Sequence, residues 1–302
     1  MTYTLMLTVL PLAPLSARFI MNKCIPVLFL LFTTLAMAGP ANPFFAMDTI
    51  ARGKPDDVAL LLKELGYDGL GGAAGDDRMA RAIEAAGLRF FNGYLTLSFD
   101  DAQSPLDDRL RGVLDRMQGH GAVLWLALQT VRRGGVQFAN STPEADDIVV
   151  PKLREIADYA RTRDVRLSLY PHTGLWIEHV EDAMRVADKL NRPDVGVTFN
   201  LCHWLKVEGS ERDPLPVLKV VMPRLMFITI NGADKGETKA MNWDRLIQPL
   251  GSGSYDVSAF MQKVWAAGYT GPVGFQGYGI KTEPREVLMN TINAWRKIVL
   301  KR

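Results

Sequence analysis

Two of the four histidines, His172 and His203, stand just past short apolar runs at 165–169 and 195–199. A neutral imidazole near pH 7 takes up or gives away a proton, so both are candidates for general acid–base work, with Asp234 as a third. Similar runs end in other polar or aromatic residues. Asp48 follows 44–47, Gln129 and then Arg132 follow 122–128, and Tyr170 precedes His172. Asn200 and Trp204 flank His203, Asn231 follows 225–230, and Gln276 and Tyr278 follow 272–275. Amides offer donors and acceptors together, which suits hydroxyls in either direction. The flat faces of Tyr170, Trp176, Trp204 and Tyr278 suit a sugar ring, and serve ordinary packing equally well. Asn200, Asn231, Gln276, Tyr170, Trp204, Tyr278, Asp48 and Gln129 therefore form a candidate substrate-binding set. Taken singly, each also fits a role in satisfying loop backbone groups. His120, in a loop, and His179, near a helix start, are expected at the surface.

Those residues converge only if their strands lie side by side. The spacing predicts strands at 44–47, 67–70, 88–97, 122–128, 165–169, 195–199, 225–230 and 272–275. Between them it predicts helices at 56–65, 76–86, 105–117, 144–162 (with Pro151 in the first turn), 180–190, 214–221 and 257–267, then a closing helix at 286–299. Gly66, Gly87 and Gly268 sit where helices end. Short continuous apolar strands, each followed by an amphipathic helix, imply a parallel sheet covered by helices. Eight such units fit an α/β (β/α)8 TIM barrel, whose chemistry lies at the C-terminal strand ends. A doubly wound open sheet is the other arrangement, but no Gly-rich phosphate fingerprint follows the first strand.

The 302 residues are 48% hydrophobic and 23% charged, with a formal charge of +2. That composition excludes a disordered chain and a small disulfide scaffold. No basic stripe points to nucleic acid. Residues 1–38 hold no Asp or Glu and only Arg18 and Lys23 as bases. From Met21, Lys23 gives a positive start, 25–35 an apolar run, and Ala36-Met37-Ala38 a small-residue cleavage signal. This is the pattern of a signal peptide, with Met21 as the expected true start and cleavage after Ala38. The protein is then exported, to the periplasm or beyond, and no stable membrane span remains. An uncleaved anchor is the alternative. The remaining chain, 39–302, is one expected barrel with thirty-three bases and thirty-three acids. Cys24 leaves with the leader, so Cys202 alone remains, and one thiol makes neither an internal disulfide nor a zinc knuckle.

Four segments carry a family likeness: VRLSLYPH at 165–172, VGVTFNLCH at 195–203, FITINGAD at 227–234 and GPVGFQGY at 271–278. GSGSYD at 251–256 adds to it. The chain resembles the xylose isomerase-like (AP endonuclease family 2-like) TIM-barrel superfamily, which includes sugar-phosphate isomerases and sugar epimerases. The resemblance implies one divalent metal held by a Glu, an Asp, a His and a second Glu from the fifth to eighth strands. At the matching positions this chain has Tyr170, Asn200, Asn231 and Gln276, while His203 and Asp234 are kept. Hard cations favour carboxylate oxygen, so neutral groups at these four degenerate positions predict no tightly bound metal and no other cofactor. A softer ion such as zinc on His172 and His203 is the exception to consider.

The expected partner is therefore a small-molecule carbohydrate. The expected activity is that of a sugar isomerase or epimerase, with proton transfer next to a carbonyl. His203 or His172 would act as base while Asn200, Asn231 and Gln276 orient hydroxyls. A lyase acting on an oxidised sugar shares that proton abstraction. A metal-free, non-catalytic sugar-binding protein is the alternative from another class. A phosphorylated substrate fits poorly with export and with the lack of a Gly-rich cradle.

Overall fold

The computed structural model describes residues 42–72 and 74–302, and the expected leader at 1–38 lies outside them. Eight parallel strands follow one another around a closed ring: β1 (Phe44–Met47), β2 (Gly69–Gly72), β3 (Arg89–Asp100), β4 (Val123–Arg133), β5 (Arg166–Leu169), β6 (Val195–Asn200), β7 (Leu225–Ile230) and β8 (Val273–Phe275). Pairing of β8 with β1 and of β3 with β4 closes the ring. The (β/α)8 barrel expected from the alternation is therefore the fold, and the open sheet is not.

The strand pleat sorts side chains to two sides. Phe45, Met47, Phe91, Val123, Trp125, Ala127, Tyr170 and Phe227 form one buried cluster inside the barrel. The intervening Phe44, Ala46, Leu124, Leu126, Leu128, Ile228 and Ile230 pack in the larger cluster under the helices. Rings this large fit inside because neighbouring strands supply glycine. A Cβ on Gly71 or Gly274 would lie 2.6 Å from the Phe45 ring. Phe45 stacks on Phe91 at 4.6 Å, and Trp125 on Tyr170 at 5.3 Å. The barrel is thus filled with aromatics, with Tyr170 at the top of the fill, and open space begins at the C-terminal mouth.

Several boundaries differ from expectation for identifiable reasons. β3 and β4 run past their apolar cores to Asp100 and Arg133 because they continue to pair with each other, Asp100 opposite Arg132. The end of β4 then pairs antiparallel with Val136–Gln137. Pro151 lies inside the helix Asp146–Arg161 rather than in its first turn, since a short 3₁₀ turn, Pro143–Ala145, precedes that helix. Two helices were not expected, Leu201–Glu208 and Trp243–Leu246, and both carry residues of the mouth. Among the described residues no helix is long and apolar enough to cross a membrane.

Candidate functional site

A cavity of about 510 Å³ opens at the C-terminal mouth. Its wall takes Asp48 from the end of β1, Tyr94 from β3, Tyr170 and His172 from the end of β5, and His203 from just past β6. Gln276 and Tyr278 follow β8, and Trp243 and Ile247 come from the long connection after β7. Sequence reasoning missed Tyr94, Trp243 and Ile247. Tyr94 is an interior position on a strand longer than its apolar run. The other two lie between β7 and the next long helix, in a stretch without regular periodicity.

The two histidines meet here, with ring centroids 3.9 Å apart. His203 sits in the first turn of Leu201–Glu208, whose N-cap is Asn200. The Asn200 Oδ1 accepts the backbone N–H of Cys202 at 3.1 Å and of His203 at 3.3 Å. It also accepts the Cys202 thiol at 2.9 Å. The cap therefore fixes where the His203 ring begins. Thr173 ties the pair together: its carbonyl lies 2.8 Å from His172 Nδ1, and its hydroxyl 3.2 Å from His203 Nδ1. A carbonyl only accepts, so the proton of neutral His172 is on Nδ1 and its Nε2 holds a lone pair. Burial holds the His172 pKa below the ordinary imidazole value. Burial, then the neighbouring His172, holds His203 well below it. Both rings are neutral bases at neutral pH.

Under the histidines, the buried Tyr170 hydroxyl meets the Asn200 Nδ2 and the Gln276 amide. Burial pushes this phenol far up, so it keeps its proton. Among the described residues Asp48 is the only carboxyl lining the cavity, and burial raises its pKa against the opposing pull of Arg52. Among the described residues no lysine or arginine lines the cavity. The Trp243 ring stands edge-on to His203 at 5.5 Å, and both Trp243 and Tyr278 are exposed at the rim.

The other expected residues lie elsewhere. Asn231 is buried and does not line the cavity. Its Nδ2 donates to the carbonyls of Gly232 and Leu246, at 2.7 and 2.6 Å, and so pins the turn that carries Trp243. Asp234 points to the loop: it pairs with Arg245 at 2.9 Å and accepts the Ser254 N–H at 3.1 Å, and Arg245 holds its pKa down. Gln129 falls where the β3–β4 register shifts, between Leu128 and Thr130, and its side chain is exposed. Trp204 turns to the outer core against Phe199, with Arg212 over its ring. Of the two histidines expected at the surface, His120 pairs with Asp77 and Glu84 with its ring largely buried. His179 pairs with Glu208 and is half-buried.

The donor set at the mouth does not fit a hard divalent cation. Tyr170 is held protonated, the Asn200 oxygen is taken by helix N–H groups, and the Asn231 oxygen, though buried without a hydrogen-bond partner, is an uncharged amide oxygen off the cavity wall. Among the described residues no group of three or more His, Cys, Asp or Glu is placed to hold a metal ion.

Comparison with known proteins agrees with the fold. The family model for the xylose isomerase-like TIM barrel matches residues 59–298. A 3-dehydroshikimate dehydratase of Pseudomonas putida is 24% identical over 189 residues, 59% of this chain and 28% of that one. This chain thus spans less than a third of that relative's length. Among solved structures, a zinc-bound IOLI protein superposes with a TM-score of 0.69 at 16% identity, covering 86% of this chain and 98% of that one. The 3-keto-D-glucoside 4-epimerase of E. coli superposes with a TM-score of 0.63 at 16% identity, covering 85% and 99%.

Proposed function

Because the chain belongs to the xylose isomerase-like TIM barrel family, we propose that it moves a proton at the carbon beside the carbonyl of an uncharged sugar, without a bound metal. The observation that carries this is the pair of neutral imidazoles, 3.9 Å apart, on the wall of the mouth cavity. His172 Nε2 is the base, because the Thr173 carbonyl holds the proton on the other nitrogen. The C–H electrons pass to the carbonyl oxygen as an enol or enolate forms. Return of the proton to another position or face gives the isomer or epimer. His203, linked through the Thr173 hydroxyl, orients the pair and holds substrate hydroxyls.

The substrate class follows from charge. A cavity whose described lining holds one carboxyl and no lysine or arginine offers little to a phosphate or carboxylate, whereas amides, hydroxyls and aromatic faces suit a neutral polyol. Names among the relatives, an epimerase and a dehydratase, support proton abstraction beside a carbonyl without choosing its outcome. Elimination from an oxidised sugar begins with the same step. The leader-like pattern at 21–38 supports an exported protein; N-terminal sequencing of secreted material beginning at Gly39 would bear this out.

The test is NMR of keto-sugars in D2O with purified protein. Loss of the proton signal beside the carbonyl is expected with the native chain and not with His172→Ala. A second reading, a sugar-binding protein without turnover, is favoured by Asp234, which lies outside the cavity in an ion pair with Arg245. Calorimetric binding without isotope exchange across the same sugars would establish it and refute the first.

A further inference from the structure

A proton leaves a carbon beside a carbonyl only if the charge arriving on oxygen is stabilised. The donor set of this mouth does not fit a metal ion for that task. The hydrogen-bond directions around Tyr170 show what stands in its place, on the premise of the proton-transfer reading above.

Asn200 cannot turn its amide over. Its oxygen already accepts the N–H groups of Cys202 and His203, so the end that meets the Tyr170 oxygen is Nδ2, and an N–H only donates. Gln276 is held in the same sense. Its oxygen accepts the Tyr278 N–H at 3.2 Å, which leaves its amide N–H as the end that faces the phenol oxygen. The Asn200 N–H donates to that oxygen and the Gln276 N–H faces it. The phenol's own hydrogen needs an acceptor, and among the described residues none is hydrogen-bonded to it. Tyr170 is 1% exposed, yet it lines the cavity beside His172 and His203.

We propose that the Tyr170 O–H is the electrophile of this site: it donates to the substrate carbonyl oxygen and holds the enolate in the place of a cation. The Asn200 and Gln276 N–H groups pull density from the phenol oxygen and strengthen that donation. The electron count closes within the site. The C–H pair becomes the C=C of the enolate, the carbonyl π pair moves to oxygen, and the proton rests on His172 until it returns. Tyr170 gives a hydrogen bond and keeps its proton throughout.

The test is Tyr170→Phe on chelator-treated protein, with isotope exchange followed by NMR and binding by calorimetry on the same sugar. Losing one such donor should lower the exchange kcat about 10²–10³-fold while affinity changes far less. Fluorotyrosine at position 170 keeps the shape and makes a stronger donor, so its rate should change while the melting temperature does not. A Tyr170→Phe rate within about fivefold of the native one would overturn the assignment. So would native activity that a chelator abolishes and Mn²⁺ restores. If the native protein binds sugars but exchanges none, the proton-transfer reading fails, and Tyr170 loses this role with it.

Discussion

Asn200→Ala is the most informative single change, because Asn200 stands between the fold and the chemistry. Its side chain caps Leu201–Glu208, faces Tyr170 and is 2% exposed. Loss of an ordinary exposed cap costs about 1 kcal/mol. Here water does not reach the freed N–H groups of Cys202 and His203, and a buried unpaired donor costs about 1–3 kcal/mol. The expected loss is about 3 kcal/mol, which for a barrel of this size lowers the melting temperature by roughly 6–12 °C. The freed first turn carries His203, so isotope exchange should fall as well. Asn200→Asp keeps an acceptor for both N–H groups and places an anion at a helix N-terminus, a favourable position. It should melt above the Ala variant. Circular dichroism melts read stability and NMR exchange reads activity. An Ala variant melting within about 2 °C of the native protein would refute the capping argument, as would an Asp variant melting below Ala.

Further predictions concern the floor, the bases and the rim. Gly274→Ala places a methyl 2.6 Å from the Phe45 ring. Overpacking of this kind should cost about 1–3 kcal/mol, read as a lower urea midpoint at unchanged slope. The exchange rate should be level through neutral pH and fall only on the acid side of an ordinary imidazole, because burial lowers the pKa of His172 and His203 alike. Stability has the same sign: the unfolded histidines take up protons near pH 6.5 and the folded ones resist, so stability present above that pH is lost as pH falls, and melts from pH 7 downward will show it. Asp234→Asn should leave exchange within about twofold of native, while Trp243→Ala should weaken calorimetric sugar binding about tenfold through loss of a rim face.

The strands were legible because each is a short apolar run ended by glycine or a polar residue, and the barrel followed from eight repetitions. Where a strand continued in polar residues, as β3 and β4 do beyond Leu97 and Leu128, its end was not legible. That is why Gln129 was expected at the mouth: it follows the apolar core but falls at a register shift, which pairing rather than composition decides. His172, His203, Tyr170 and Gln276 were found by position alone, since the strand end fixes the direction of the next few residues. Trp204 was misplaced by one physical fact. Asn200 starts a helix, and the helical turn sends His203 to the cavity and its neighbour to the outer core. The signal was present in an N-capping Asn ahead of LCHWLKVE and a closing Gly209. Asp234 had no such signal, because its partner Arg245 is eleven residues away in an irregular connection.

The four neutral replacements and the two neutral histidines are one electrostatic arrangement. A carboxylate left at position 170, 200 or 276 without a cation would lie within or beside the imidazole pair. It would raise their pKa values, keep them protonated at neutral pH and remove the lone pair on His172 that the chemistry needs. On the proposed reading, neutral groups at these positions keep the base available without a metal. Among the described residues the one carboxyl that lines the cavity, Asp48, follows β1, which lies opposite β5 in the closed ring, and burial raises its own pKa. The two strands stand as far apart around the ring as an eight-stranded barrel allows. A hydrogen-bond donor without net charge, the Tyr170 hydroxyl, serves such a site better than a cation would. It stabilises an enolate oxygen without adding a positive charge beside two bases that must stay unprotonated.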